Sequence, residues 1–196
     1  MGDDFDVPKL TDQSLLEDGV IVVLRLDVAT EEKQRALHRS LSAHCGIDII
    51  DFEPHITLAA YEKPPLDALL SWIGACAAKH KPFEVRFSSF GFFPHSEEAS
   101  GRTVLFLSPA AAPALTALYY EVHTKLDAYC GNLGWLYSMR YGHPAIHSTV
   151  HILPQEAEVA AAAYMMEAYR EVSGTAVAIE VHRWPMRLIQ RFPLVV

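Results

Sequence analysis

Cysteine is scarce and poorly spaced for cross-linking: Cys45, Cys76 and Cys130 are odd in number, lie far apart and include no Cys-x-x-Cys pair. That spacing argues against a disulfide framework or a zinc site and fits a reducing cytoplasm. Long uncharged apolar runs are also missing. The apolar stretches are strand-length or broken by charge, so no membrane span is expected. The opening residues, Met1-Gly2-Asp3-Asp4-Phe5-Asp6, lack the basic and apolar regions of a secretory signal, and Asp6 stands where a myristoylation signal needs Ser or Thr. Cations are in the minority, with 16 Lys and Arg against 24 Asp and Glu, a formal net charge of −8. Binding along a nucleic-acid backbone needs clustered Lys and Arg that release counterions, so no long nucleic-acid tract is expected as a partner. A nucleic-acid end or a small phosphoester remains compatible with this charge.

What the chain does have is a large apolar fraction, 51% of 196 residues, enough to bury a substantial core in one domain or two intimately packed lobes. Val20 to Val28 is apolar and β-branched enough for a strand. Thr30 followed by Glu31 and Glu32 has the pattern of a helix N-cap with an acidic first turn, and Gly46 would end that helix. A strand over Ile49 to Tyr61 follows, then a helix opened by Pro64-Pro65 and a strand over Phe83 to Phe87. The order then recurs. Thr103 to Leu107 reads as a strand, Ala114 to Tyr129 as a helix closed by Gly131, Ile146 to Leu153 as a strand and Glu156 to Val172 as an Ala-rich helix. Strands over Val177 to Arg183 and Leu188 to Phe192 complete the chain. Ser96 to Gly101 reads as a solvated hairpin loop or the passage between lobes.

The matching strands of the two halves carry His55-Ile56-Thr57-Leu58 and His147-Ser148-Thr149-Val150. Ten His and eight Thr give about 0.4 His-x-Thr tripeptides by chance (10 × 8 / 196), so a single copy carries no information. Two copies in matching surroundings do. The histidines are 92 residues apart and the opening strands about 83, a difference that one longer loop over Gly131 to Ala145 accounts for. The expectation is one bilobal domain over residues 1–196, with internal repeats at 19–95 and 102–196.

In a strand, residues i and i+2 share a face, so His55 projects with Thr57 and His147 with Thr149. Two imidazoles facing one small volume suit displacement at phosphorus: one takes a proton from the attacking hydroxyl, and the other gives one to the leaving oxygen. The threonine hydroxyls would donate to the non-bridging oxygens, and no metal or cofactor is required. By the same two-residue spacing His151 joins the face of His147 and Thr149, as a cleft residue or a competing second histidine. Tyr137 and Tyr141, in the loop before His147, are further candidates to meet a substrate. His147 is preferred to His151 because only it has a threonine two places on.

Phe52-Glu53-Pro54-His55-Ile56-Thr57-Leu58-Ala59 and Ile146-His147-Ser148-Thr149-Val150-His151-Ile152, with the stretch Phe83 to Pro109, resemble the 2H phosphoesterases, also called the 2′-5′ RNA ligase or cyclic phosphodiesterase superfamily. Pro54 precedes the first histidine as is usual there, and Ile146 replaces it before the second. The resemblance implies an α+β fold of two pseudo-symmetric halves, each with an antiparallel sheet flanked by helices, and a cleft between them lined by the motifs. It also implies action on 2′,3′-cyclic phosphates, related cyclic nucleotides or 2′-5′ linkages, generally without metal.

The expected function is therefore a cytoplasmic, monomeric cyclic phosphodiesterase with His55 and His147 catalytic, Thr57 and Thr149 on the phosphate, and His151 and Tyr141 as cleft candidates. Its expected partner is a small nucleotide or an RNA-end phosphodiester. The alternatives are RNA 2′-5′ ligation and a catalytically idle nucleotide-binding module.

Simpler readings apply to the other candidates. His143, His147 and His151 recur every four residues as zinc ligands on a helix would, but Pro144, Thr149, Val150 and Ile152 favour an extended segment. Phe90, Phe92, Phe93 and Trp184 could stack on a base, although strand aromatics usually fill cores. Arg86, Arg140 and Arg191 could each pair with a phosphate, and the sequence does not choose among them.

Overall fold

The computed structural model describes residues 19–49, 53–96, 101–139, 144–184 and 186–195. The first half contributes β1 (Val20–Leu26), α1 (Val28–Cys45), β2 (Ile56–Tyr61), α2 (Leu66–Ala77) and β3 (Phe83–Ser96). The second contributes β4 (Arg102–Pro109), α3 (Pro113–Leu126), β5 (Ser148–Leu153), α4 (Glu158–Ala168), β6 (Val172–Arg183) and β7 (Arg187–Pro193). Short helical turns occupy 127–137. The class is α+β with antiparallel pairing throughout, as expected.

The strands of both halves join in one seven-stranded sheet, ordered β2-β1-β6-β3-β4-β5, with β7 also on β6. The third strand of each half pairs mainly with the opposite half. β3 pairs along Phe87 to Phe93 with β4, and β6 pairs along Ala176 to Arg183 with β1. The starts of the two long strands pair with each other about Val85 and Gly174. The helices follow the same pattern: α1 packs on α4, where His44 meets Tyr164, and α2 packs on α3, where Trp72 Nε1–H donates to Val122 O at 3.1 Å. The two end strands of the order, β2 and β5, also touch, so the sheet bends round until its ends meet.

One face of the sheet carries the helices and the main core, with Val22, Leu24, Leu58, Phe87, Leu105 and Leu107 against Leu41, Ile73, Leu118 and Met165. Each such side chain, fully buried, contributes about 1.5–3 kcal/mol. The opposite face holds a smaller cluster, Ile21, Val23, Ala60 and Leu133 with Tyr137 and Met186. Alternation along β1 separates the two sets.

Some element boundaries differ from the sequence expectation for local reasons. Asp27, not Thr30, caps α1. Its backbone is extended (φ −63°, ψ 154°), its carboxylate accepts from Thr30 N at 3.0 Å, and Thr30 Oγ1 donates to its other oxygen at 2.8 Å. The same carboxylate takes Thr175 N at 2.6 Å, which ties the helix start to β6. Gly46, at φ 65°, ends α1 as expected. α4 stops at Ala168 because Tyr169 turns extended and donates its hydroxyl to Phe87 O at 2.6 Å, which lets β6 begin at Val172. The segment 97–100, expected as a hairpin loop or a passage, lies outside the described residues.

Candidate active site

Each motif sits where an irregular segment enters an end strand. β2 starts at Ile56 and β5 at Ser148, so both histidines immediately precede their strands rather than lying within them. The His55 Nδ1–H donates to Glu53 O at 2.7 Å, and the His147 Nδ1–H donates to Ala145 O at 2.6 Å. The two bonds are equivalent: each spans two residues back and fixes the ring in the tautomer that leaves Nε2 without the proton. Thr57 lies across the ladder from Val23, and Thr149 from Phe106. Directly opposed residues share a face, which places both threonines away from the helices.

The two rings have different surroundings. Desolvation pushes the His55 imidazole down to about 4, and the nearby positive charges of Arg25, His182 and His147 add to this against the Glu53 carbonyl bond. Desolvation also lowers His147, with the Ala145 bond opposing. The His147 ring stands edge-on to Phe93 (centroids 5.0 Å, 81°) and Phe106 (5.3 Å, 62°), which stack on each other at 4.1 Å.

Beside His55 lies a buried ion network. Arg25 is bound by Glu31 through two bonds of 2.8 Å, by Glu180 at 3.1 Å and by Glu53. Burial works against its charge, but the bonds to Glu31 and Glu53 outweigh that and raise its pKa. Glu53 is also held by Arg35 at 3.2 Å, so the residue whose carbonyl orients His55 is clamped by its own side chain. Glu180 receives Arg191 at 2.6 Å and faces His182 at 2.9 Å.

His151 departs from expectation. Thr149 opposes Phe106 and His151 opposes Leu105, so Val150 is an extra residue in the ladder, and beyond it the strand faces reverse. His151 is therefore buried (2% exposed) on the helix side, stacked on His38 at 4.7 Å and bonded to Asp48 O at 3.0 Å. The same strand geometry keeps His147 and His151 from acting as neighbouring ligands on a helix; His143 lies outside the described residues. Tyr141 and Arg140 lie outside them too.

Tyr137 packs against the small cluster on the motif face, and its carbonyl accepts from Tyr119 OH at 2.7 Å. Phe90 and Phe92 join the core as expected, while Phe93 is on the motif face. Arg86 pairs with Glu171 at 2.8 Å. Sequence reasoning missed Phe106, Arg25, Glu53 and Glu180. Arg25 alone carried a signal, as a charge inside an apolar strand.

The model of the 2′-5′ RNA ligase superfamily matches residues 51–185, a span that includes both motifs and most of the chain, and the chain belongs to that family. No curated protein sequence matches. Among solved structures, TT0787 of Thermus thermophilus is 16% identical with a TM-score of 0.58, over 90% of this chain and 97% of its own. E. coli LigT complexed with 3′-AMP is 12% identical with a TM-score of 0.59, over 91% and 99%. Kluyveromyces marxianus Usb1 is 13% identical with a TM-score of 0.54, over 92% and 100%. These likenesses establish a shared fold, and the family is one of phosphoesterases and ligases. No helix among the described residues is long and apolar enough to cross a membrane.

Proposed function

We propose that the protein is a metal-independent phosphoesterase that opens 2′,3′-cyclic phosphates, or related cyclic esters at nucleotides and RNA ends, by paired-histidine acid–base catalysis. The observation that carries this reading is the pair of equivalent Nδ1–H bonds, from His55 to Glu53 O and from His147 to Ala145 O, which prepares two Nε2 atoms for proton transfer. Water attacks phosphorus and loses its proton to one Nε2. The bond from phosphorus to the ribose 2′ or 3′ oxygen breaks, and that oxygen takes a proton from the other ring. Thr57 and Thr149 donate to the non-bridging oxygens, where negative charge grows. LigT, which shares the fold, has been captured with 3′-AMP, a nucleoside phosphate of the kind such a reaction leaves. The net charge of −8 favours a small nucleotide or RNA end over a long tract, and the protein acts as a cytoplasmic monomer.

The test is turnover of nucleoside 2′,3′-cyclic phosphates in excess EDTA. Wild type is expected to be active, and His55→Ala and His147→Ala each to lose about 10²–10⁴-fold. A wild type that is inactive yet binds nucleotide tightly would make this an idle binding module, and joining of RNA ends without hydrolysis would make it a ligase.

A further inference from the structure

His38 and His123 form a second histidine pair that obeys the internal repeat. Each is the eleventh residue of its helix, α1 starting at Val28 and α3 at Pro113. Both are buried, at 7% and 3% exposure. The His38 Nδ1–H donates to Val150 O at 2.7 Å, and the His123 Nε2–H donates to Leu58 O at 2.8 Å. Each bond crosses between the repeats: the helix of the first half reaches the motif strand of the second, and the converse.

The two carbonyls belong to corresponding residues, each following the threonine of its motif. In β2, Thr57 opposes Val23 and Ala59 opposes Val22, so Leu58 is the extra residue there as Val150 is in β5. A bulge leaves its extra residue outside the ladder, and each of these carbonyls is taken up by a helix histidine. The bulge also sets the aim of the motif. Leu58 and Ala59 both lie in the main core while Thr57 faces away, and Val150 and His151 repeat the pattern. A slip of one residue would turn the His-x-Thr side chains towards the helices.

The backing of the two rings differs. His38 stacks on His151, whereas the Nδ1 of His123 meets Asp127 Oδ1 at 3.0 Å, with Ser138 Oγ on the other carboxylate oxygen at 2.8 Å. Different ring nitrogens and different supports arrive at the same bond.

We infer that His38 and His123 are positioning residues for the proposed reaction, each holding the bulge that aims the reacting histidine and threonine of the opposite repeat. The inference rests on His55 and His147 being the reacting groups.

The test combines kinetics with imidazole ¹⁵N and ¹³C NMR shifts of His55 and His147 in the full chain. His38→Leu is expected to lower kcat by about 10–100-fold, the scale of a misplacement of about an ångström, with KM changed by less than about threefold. It should move the resonances of His147 and leave those of His55 in place. His123→Leu should do the reverse. His38→Gln and His123→Gln, which keep an N–H donor, should return kcat to within about threefold of wild type.

Folded Leu variants with wild-type shifts, or shifts that move only in the motif of the same repeat, would overturn the inference. If a Leu variant does not fold, a folded Gln variant with displaced shifts in the opposite motif overturns it, and one with wild-type shifts supports it. A wild type that turns over no cyclic phosphate defeats the proposed reaction, while the shifts still report on the positioning.

Discussion

Gly91 lies directly across the ladder from Phe106, and the Phe106 ring covers the space that a side chain at position 91 would fill: a methyl there would come within 2.6 Å of Cζ. The ring is in turn stacked on Phe93 and met by the edge of His147, so three neighbours determine where it rests.

Gly91→Ala is therefore expected to push Phe106 into His147 and lower kcat/KM by about tenfold or more, while costing about 1–3 kcal/mol of stability. Steady-state kinetics beside a urea melt checks both. Wild-type kcat/KM in the folded variant would show that the aromatic pair does not set the His147 ring.

The pH dependence of kcat/KM follows from the two lowered imidazoles. His55, held at about 4, stays neutral and able to accept a proton above that value, and His147, below its ordinary 6.5, donates only at pH values under its own pKa. The profile of the free enzyme is expected to be bell-shaped with its maximum on the acid side of 6.5. The further expectation is that His55 acts as the base and His147 as the acid. Residual activity in His55→Ala should lose the acid limb, and in His147→Ala the alkaline limb. A plateau through pH 8 would refute the assignment.

Arg25 is the hub of a buried network, and Arg25→Met leaves Glu31 and Glu180 without their central cation, at a cost of about 3–5 kcal/mol. Glu180 also sets an acid limit. Burial alone would raise its pKa, but the bond with His182 and the charges of Arg25 and Arg191 hold it down to about 2, from an ordinary 4.5. A lowered carboxyl contributes stability that is present above 4.5 and lost as pH falls towards 2. Thermal melts across that window should show the loss in wild type and a shallower fall in Glu180→Gln.

The motifs were legible because a repeated His-x-Thr in matching strands is a local pattern, and the order of strands and helices followed from periodicity and from stops such as Gly46. The bulges were not. Nothing in Thr149-Val150-His151 marks Val150 as the extra residue, so simple alternation assigned His151 to the wrong face. Asp27 outcompeted Thr30 as the cap because its carboxylate also serves Thr175, a partner far along the chain. Phe106, inside Val104-Leu105-Phe106-Leu107, reads as one more core residue, and only its pairing with Gly91 and Thr149 reveals which face it serves. The acidic shell of Arg25 comes from Glu31, Glu53 and Glu180, three segments that meet only in the finished sheet.

The pairing of β3 and β6 with the opposite half also constrains how the molecule is made. On the ribosome β1 emerges early, yet its inner neighbour, β6, is translated far later; Arg25 and Glu180, which bond across that junction, are separated by 155 positions. A nascent first half can pair β1 with β2 but leaves one side of β1 unpaired and Arg25 short of Glu180. Such long-range closure slows folding. Until β6 is synthesised, the early strand presents an open edge, a place where chaperones would hold the chain and where premature termination would yield a sticky fragment.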